Sequence, residues 1–235
     1  MINKSPFIVI EGPDGSGKGT QHALLIEKLK ENERKVFPVD FPQYYNHEGY
    51  FGPMIGRMLK GDFGPMDIID PRLASVLFAM DRWEASENIR TAQRNGLIVV
   101  GNRYTLSNEA HQVARMPPSE RDGFLADLRK MEYDILKIPR PDLYLFLSVP
   151  FEISQKLIEK KAGRNYLGGA QKDGLEKDVE HQLSATRLYG ELAKNDSGIV
   201  VVDCASESGT LMSIEEVHGK VWKEVDRFIH QYEEG

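Results

Sequence analysis

The first residues with chemistry to offer form a glycine-rich run: Gly12, Pro13, Asp14, Gly15, Ser16, Gly17, Lys18, Gly19 and Thr20. Gly12 and Gly17 ahead of Lys18 have the spacing of a phosphate-binding loop. There, glycines let successive backbone N–H groups close around phosphate oxygens at a helix N-terminus, and the lysine brings a mobile positive charge to the outer phosphates. Such a loop needs a strand before it and a helix after it. Phe7 to Ile10 supply four apolar residues in a row, and Gln21 to Leu29 an amphipathic segment. A chance glycine turn would have neither. One position departs from the usual loop: Gly19 stands where a hydroxyl commonly follows the lysine, and the hydroxyl comes one residue later at Thr20.

Two further groups of residues suit a phosphorylated ligand. Arg103 follows an apolar strand in the run GNRYTLSNEAHQ, with Ser107, Asn108 and His111 on the next turn and helix. It is placed either to grip a second phosphate group or to be a surface arginine with no task. Phe78 and Arg82 are four residues apart in SVLFAMDRWE and share a helix face. An aromatic plane beside a guanidinium can stack a nucleobase and bond its carbonyl edge; a core phenylalanine beside an exposed arginine is the plainer reading.

The elements that carry these residues alternate. Strands are expected at 7–10, 36–41, 97–100, 143–149 and 199–202; the third is apolar throughout and so buried on both faces, and the fourth reads as buried too, which points to a parallel sheet. Helices are expected at 21–29, 54–59, 71–94, 106–115, 119–136, 151–161, 175–193 and 214–232; Pro71 opens the long third one and Asn95-Gly96 close it. The Gly-, Pro- and Tyr-rich stretch from Gln43 to Pro71 is irregular enough to be functional, and the polar AGRNYLGGAQKDG reads as a flap. Strand–helix alternation predicts a doubly wound α/β fold that binds ligands at the carboxyl ends of its strands.

Five ordered motifs, GPDGSGKGTQ, DFPQY, LFAMDRWE, NRYTLSNEA and DGLEKDVE followed by LYGELA, resemble the thymidylate kinases over nearly the whole chain. The resemblance implies one domain over residues 1–235, a P-loop kinase fold with a five-stranded parallel sheet in the order 2-3-1-4-5, an acceptor region at about 41–82 and a mobile lid at about 160–176. It implies ATP-dependent phosphorylation of dTMP to dTDP for dTTP synthesis, with Mg2+, by a homodimer packed through helices such as the one holding Phe78. The loop from Gly12 to Thr20 would hold ATP, and Lys18, Arg103 and Arg164 would be catalytic. Gly15 stands where one subgroup keeps a loop arginine, so the lid supplies that charge here: Arg164 first, with Lys160 and Lys161 behind it.

By the same resemblance, the acceptor would meet Asp14, Phe41, Pro42, Tyr44, Phe78, Arg82, Arg103, Ser107, Asn108 and His111. Asp14 would face its 3′-hydroxyl, and Thr20 and Glu176 would stand near the metal. Four positions depart from the family pattern: Asn102 replaces an aspartate that helps place the metal, Gln43 a phosphate-binding arginine, and His111 and Leu175 aromatic residues beside the deoxyribose.

A net charge of −6 with 28% charged and 40% hydrophobic residues gives no electrostatic case for nucleic acid or an acidic membrane. The single cysteine, Cys204, excludes an internal disulfide and fits a reducing compartment. With no apolar run of membrane-spanning length, a cytoplasmic protein is expected. Among rivals, a kinase for another monophosphate such as UMP shares the GKGT loop, which also resembles adenylate kinases. A GTP-dependent switch would need an Asn-Lys-x-Asp guanine motif after a strand, which is not visible.

Overall fold

The computed structural model describes residues 4–155, 157, 178–206 and 209–234. Five strands make one parallel sheet: β1 (Phe7–Glu11), β2 (Val36–Asp40), β3 (Ile98–Asn102), β4 (Leu143–Ser148) and β5 (Ile199–Asp203), in the order β2-β3-β1-β4-β5. The central strand β1 pairs Phe7 with Val99 on one side and Ile8 with Leu143 on the other. Period-two alternation divides it between two cores. Ile8 and Ile10, with Val100, Leu145 and Leu147, pack on Leu25 and Leu29 of α1 (Lys18–Glu31) and on Val217, Val221, Val225 and Ile229 of α7 (Ile214–Glu234). Phe7, Val9 and Val99 face the other way, onto Ala85, Ile89 and Ala92 of α3 (Pro71–Arg94). All five strands end on polar residues at one edge: Glu11, Asp40, Asn102, Ser148 and Asp203.

The expected order of elements holds, with local differences that have tertiary causes. Helix α2 begins at Phe51 rather than 54 and runs to Lys60, because Glu84 on α3 accepts the backbone N–H groups of Tyr50 and Phe51 that open it. The continuous helix expected at 119–136 is three pieces: a 3-10 turn at Pro118–Glu120, α5 (Arg121–Arg129) and a π-helical turn at Lys130–Ile135. Such widened turns recur at functional sites, and this one carries Glu132 into the interior. Helices α4 (Thr105–Val113) and α6 (Val179–Asn195) pack with α5 around Phe146 and Tyr189. The helix that follows β4 is described over residues 151–155 and 157.

Candidate active site

The phosphate loop leaves β1 at the carboxyl edge and enters α1. Gly12, Gly15 and Gly17 have φ of 149°, 79° and 86°, in the region glycine favours. At Gly12 space matters as well, since a Cβ would lie 2.8 Å from the Leu147 carbonyl oxygen. Lys18 is buried and donates from Nζ to the Pro13 carbonyl at 2.7 Å. Ser16 is buried with its Oγ unpartnered. Thr20 is exposed on the first turn of α1.

Arg103 leaves the end of β3 with φ 63°, a left-handed backbone that costs an L-residue roughly 1–2 kcal/mol. Such strain is kept where surrounding bonds over-determine it. Here the buried Glu11, the last residue of β1, supplies them: Oε1 accepts the Tyr104 and Ser107 backbone N–H groups at 2.6 and 3.1 Å, and Oε2 accepts the Ser107 hydroxyl at 2.6 Å. Ser107 Oγ in turn accepts from Arg103 Nη1 at 3.1 Å. Arg103 Nη2 pairs with Asp14 Oδ1, and Lys18 Nζ lies 3.9 Å from the same oxygen. Burial alone would raise the Asp14 carboxyl, but Arg103, then Lys18, holds it far below the carboxylate range; Asp14 likewise outweighs the burial of the partly buried Arg103 and holds it protonated.

Opposite Arg103, His111 of α4 meets His181 of α6, with Nδ1 3.3 Å from Nε2. Burial pushes His111 down to about 3 despite the pull of Asp14, so its imidazole is neutral at physiological pH. Gln182 Nε2 donates to Asp14 Oδ2 at 3.1 Å. The acceptor stretch is tied to α3 by Asp81, whose Oδ2 accepts the Gln43 backbone N–H at 3.0 Å; Phe41 is joined to Pro42 by a cis peptide. Tyr44 and Phe78 pack on a core of Ile55, Met58 and Ala74.

Arg82 and Asn108, both expected to meet the acceptor, come together at Glu132. Arg82 donates from Nε and Nη2 to the Glu132 carboxylate at 2.9 and 2.7 Å, and Asn108 Nδ2 donates to its Oε1 at 2.8 Å. All three are at least 97% buried. The predicted lid residues Arg164 and Glu176, with Lys160, Lys161 and Leu175, lie outside the described residues.

Sequence reasoning brought Asp14, Lys18, Arg103, Ser107 and His111 to one place. It missed Glu11, Asp81, Glu132, His181, Gln182 and Tyr189. A carboxylate ending an apolar strand marks Glu11. No local pattern marks Glu132 or His181, whose partners are far away in the chain.

Fold and site together define a phosphate-loop nucleotide phosphotransferase: the buried Lys18 at the start of α1 and the partly buried Arg103 after β3 converge on one carboxylate at the carboxyl edge of a 2-3-1-4-5 sheet. The profile of the family described as Thymidylate kinase matches residues 10–219, and the chain belongs to that family. A thymidylate kinase of Mycobacterium tuberculosis (strain H37Rv) is 31% identical over 192 residues, covering 82% of this chain and 87% of its own length. One from Plasmodium falciparum is 28% identical over 231 residues, covering 98% and 94%. The solved structure of the Candida albicans thymidylate kinase superposes with a TM-score of 0.72 at 22% identity, covering 96% of this chain and 94% of that one. The chain is thus a nucleoside monophosphate kinase, and its reaction is ATP-dependent phosphorylation of dTMP.

Proposed function

We propose that the site divides this reaction as follows. The backbone from Gly12 to Thr20 and Lys18 hold ATP; Arg103 holds the acceptor phosphate in line with it; Asp14 faces the acceptor 3′-hydroxyl. Phosphoryl transfer asks the protein for alignment and charge neutralisation more than for covalent chemistry. The observation that carries this reading is the convergence of Lys18 and Arg103 on Asp14 Oδ1. Both cations can turn to phosphate oxygens that enter beside Asp14. Phe41, Pro42, Tyr44 and Phe78 bound the acceptor, with Phe78 stacking on the base; Arg82 and Asn108 read the base edge, and Ser107 steadies Arg103.

The lid at about 160–176 is proposed to close over ATP and bring Arg164 to the transferred group, excluding water that would hydrolyse ATP. The single-domain reading of residues 1–235, with its acceptor region at about 41–82, belongs to the same proposal.

Asn102 Oδ1 is buried and unpartnered, while its Nδ2 donates to Asp40 Oδ1 at 2.9 Å. No group of three or more His, Cys, Asp or Glu among the described residues could hold a metal. That set fits an ion held mostly by phosphate oxygens and water, with Asp40 and Asn102 at its edge and Thr20 and Glu176 as further candidates. Such an ion supplies charge neutralisation on the donor phosphates.

A homodimer is proposed through α3, whose outer face exposes Leu73, Val76 and Trp83 with Met80 half-buried between them, the stripe a second copy would cover. No helix among the described residues is long and apolar enough to cross a membrane, and the cytoplasmic location is part of the same reading. A coupled ADP assay over a panel of nucleoside monophosphates tests the whole: ADP forms with dTMP and not without an acceptor. ADP release that ignores the acceptor refutes the assignment of Arg103 and leaves a nucleotide-dependent switch.

A further inference from the structure

The environment of Asn108 fixes which way its amide points. Its Nδ2 donates to Glu132 Oε1 at 2.8 Å and to the Ser75 carbonyl oxygen at 3.1 Å. Both partners accept: the Ser75 carbonyl has no proton to give, and the Glu132 carboxylate receives the two-pronged fork from Arg82 as well. The NH2 group therefore has to face Glu132 and Ser75, and Oδ1 has to face away. That oxygen is buried with no partner, in a residue 3% exposed. A buried acceptor left open in this way costs free energy until something donates to it. Arg82, with Nε and Nη2 committed to Glu132, has Nη1 left to donate.

We propose that Glu132 is the positioning residue that sets base specificity. Resting on the reading that Arg82 and Asn108 face the acceptor base, it makes the pair present one donor, Arg82 Nη1, beside one acceptor, Asn108 Oδ1. That pattern complements the O4 and N3–H of a pyrimidine imide, thymine or uracil. It opposes cytosine, whose 4-amino group would meet the guanidinium donor and whose bare N3 would meet Oδ1. The discrimination against cytosine thus originates in a side chain on the π-helical turn that need not touch the base. Glu132 could do this only from that turn, which carries its carboxylate to α3 and α4 at once.

Glu132→Gln replaces one acceptor oxygen by an NH2 of the same shape. Three donors then face a side chain with one acceptor, and the Asn108 amide loses one of the two bonds that fix it, keeping only the Ser75 carbonyl, so turning over to offer Nδ2 to a cytosine N3 becomes less costly. The expected result is a rise in kcat/KM for dCMP of about tenfold, the scale of one exchanged hydrogen bond, while KM for dTMP rises and KM for ATP holds. A merely structural defect lowers turnover of both acceptors, so failure of dCMP turnover to rise overturns the proposal.

Asn108→Ala separates this proposal from the reading beneath it. If it erodes the preference for dTMP over dCMP while Glu132→Gln does not raise dCMP turnover, the reading stands and the role of Glu132 falls. If it leaves the preference at the wild-type value, Asn108 does not face the base and both fall. Should Glu132→Gln not fold, NMR of the wild-type enzyme decides. The Asn108 side-chain amide protons should exchange slowly with solvent both without and with dTMP, and loss of that protection on binding dTMP overturns the fixed orientation.

Discussion

Asp81 is a buried carboxylate with half its hydrogen-bonding capacity unused. Oδ2 accepts the Gln43 N–H at 3.0 Å, while Oδ1 is buried without a partner. Burial therefore outweighs that bond and the neighbouring Arg82, pushing the carboxyl up from 3.8 to about 6. Because the folded-state value lies above the unfolded one, the native protein binds the extra proton between pH about 4 and 6, and stability falls as pH rises through that window. The full difference is about 3 kcal/mol, of which about 1.4 kcal/mol falls between pH 5 and pH 8. Asp81→Asn keeps the shape and the acceptor for Gln43 but cannot ionise. Its stability relative to wild type should therefore improve by about 1.4 kcal/mol on going from pH 5 to pH 8, whatever its absolute offset at either pH. Urea unfolding of both proteins at the two pH values, followed by circular dichroism, measures this difference of differences. Equal differences at pH 5 and pH 8 would refute the argument, because Asp81 would then titrate alike in the folded and unfolded states.

Lys18→Ala is expected to lower kcat about 100-fold or more with an unchanged circular dichroism spectrum, the cost of losing a cation proposed to meet the transferred charge; turnover near wild type would remove the loop from the mechanism. His111 is neutral across pH 6 to 8 and, with Nδ1 against His181, keeps its other ring nitrogen for a ligand; on the proposed placement of the acceptor, the enzyme should phosphorylate ribothymidine monophosphate or UMP measurably, at a ratio to dTMP flat over that range, and His111→Tyr should suppress it. Direct competition between the deoxy and ribo forms tests this, and complete rejection of the ribonucleotide by the wild type counts against His111 as the residue that leaves room. Arg164→Ala should slow single-turnover transfer while ATP affinity changes little, as for a contact made in the closed state; unchanged transfer moves the role to Lys160 or Lys161.

The order of elements, the parallel sheet and the phosphate loop are written in local patterns: apolar runs for strands buried on both faces, Pro71 and Asn95-Gly96 at the ends of α3, glycines where φ is positive. The residues most exposed to chemistry, Asp14, Lys18 and Arg103, were legible for the same reason, since they stand at the ends of strands where this fold binds ligands. Their electrostatics were not. Asp14 meets Arg103 across 89 residues, Arg82 meets Glu132 across 50, and His111 meets His181 across 70. A charge in a helical pattern reads as a solvated face until a partner is seen, which is how Arg82, plausible as an exposed arginine, proves 98% buried. The break of 119–136 into three pieces follows from packing, because the register that brings Glu132 between α3 and α4 is set by those helices and not by the periodicity of its own segment. Periodicity specifies which side of an element is buried; what that side is buried against depends on packing between segments far apart in the chain, and there the pKa values, the amide orientations and the specificity of this site are set.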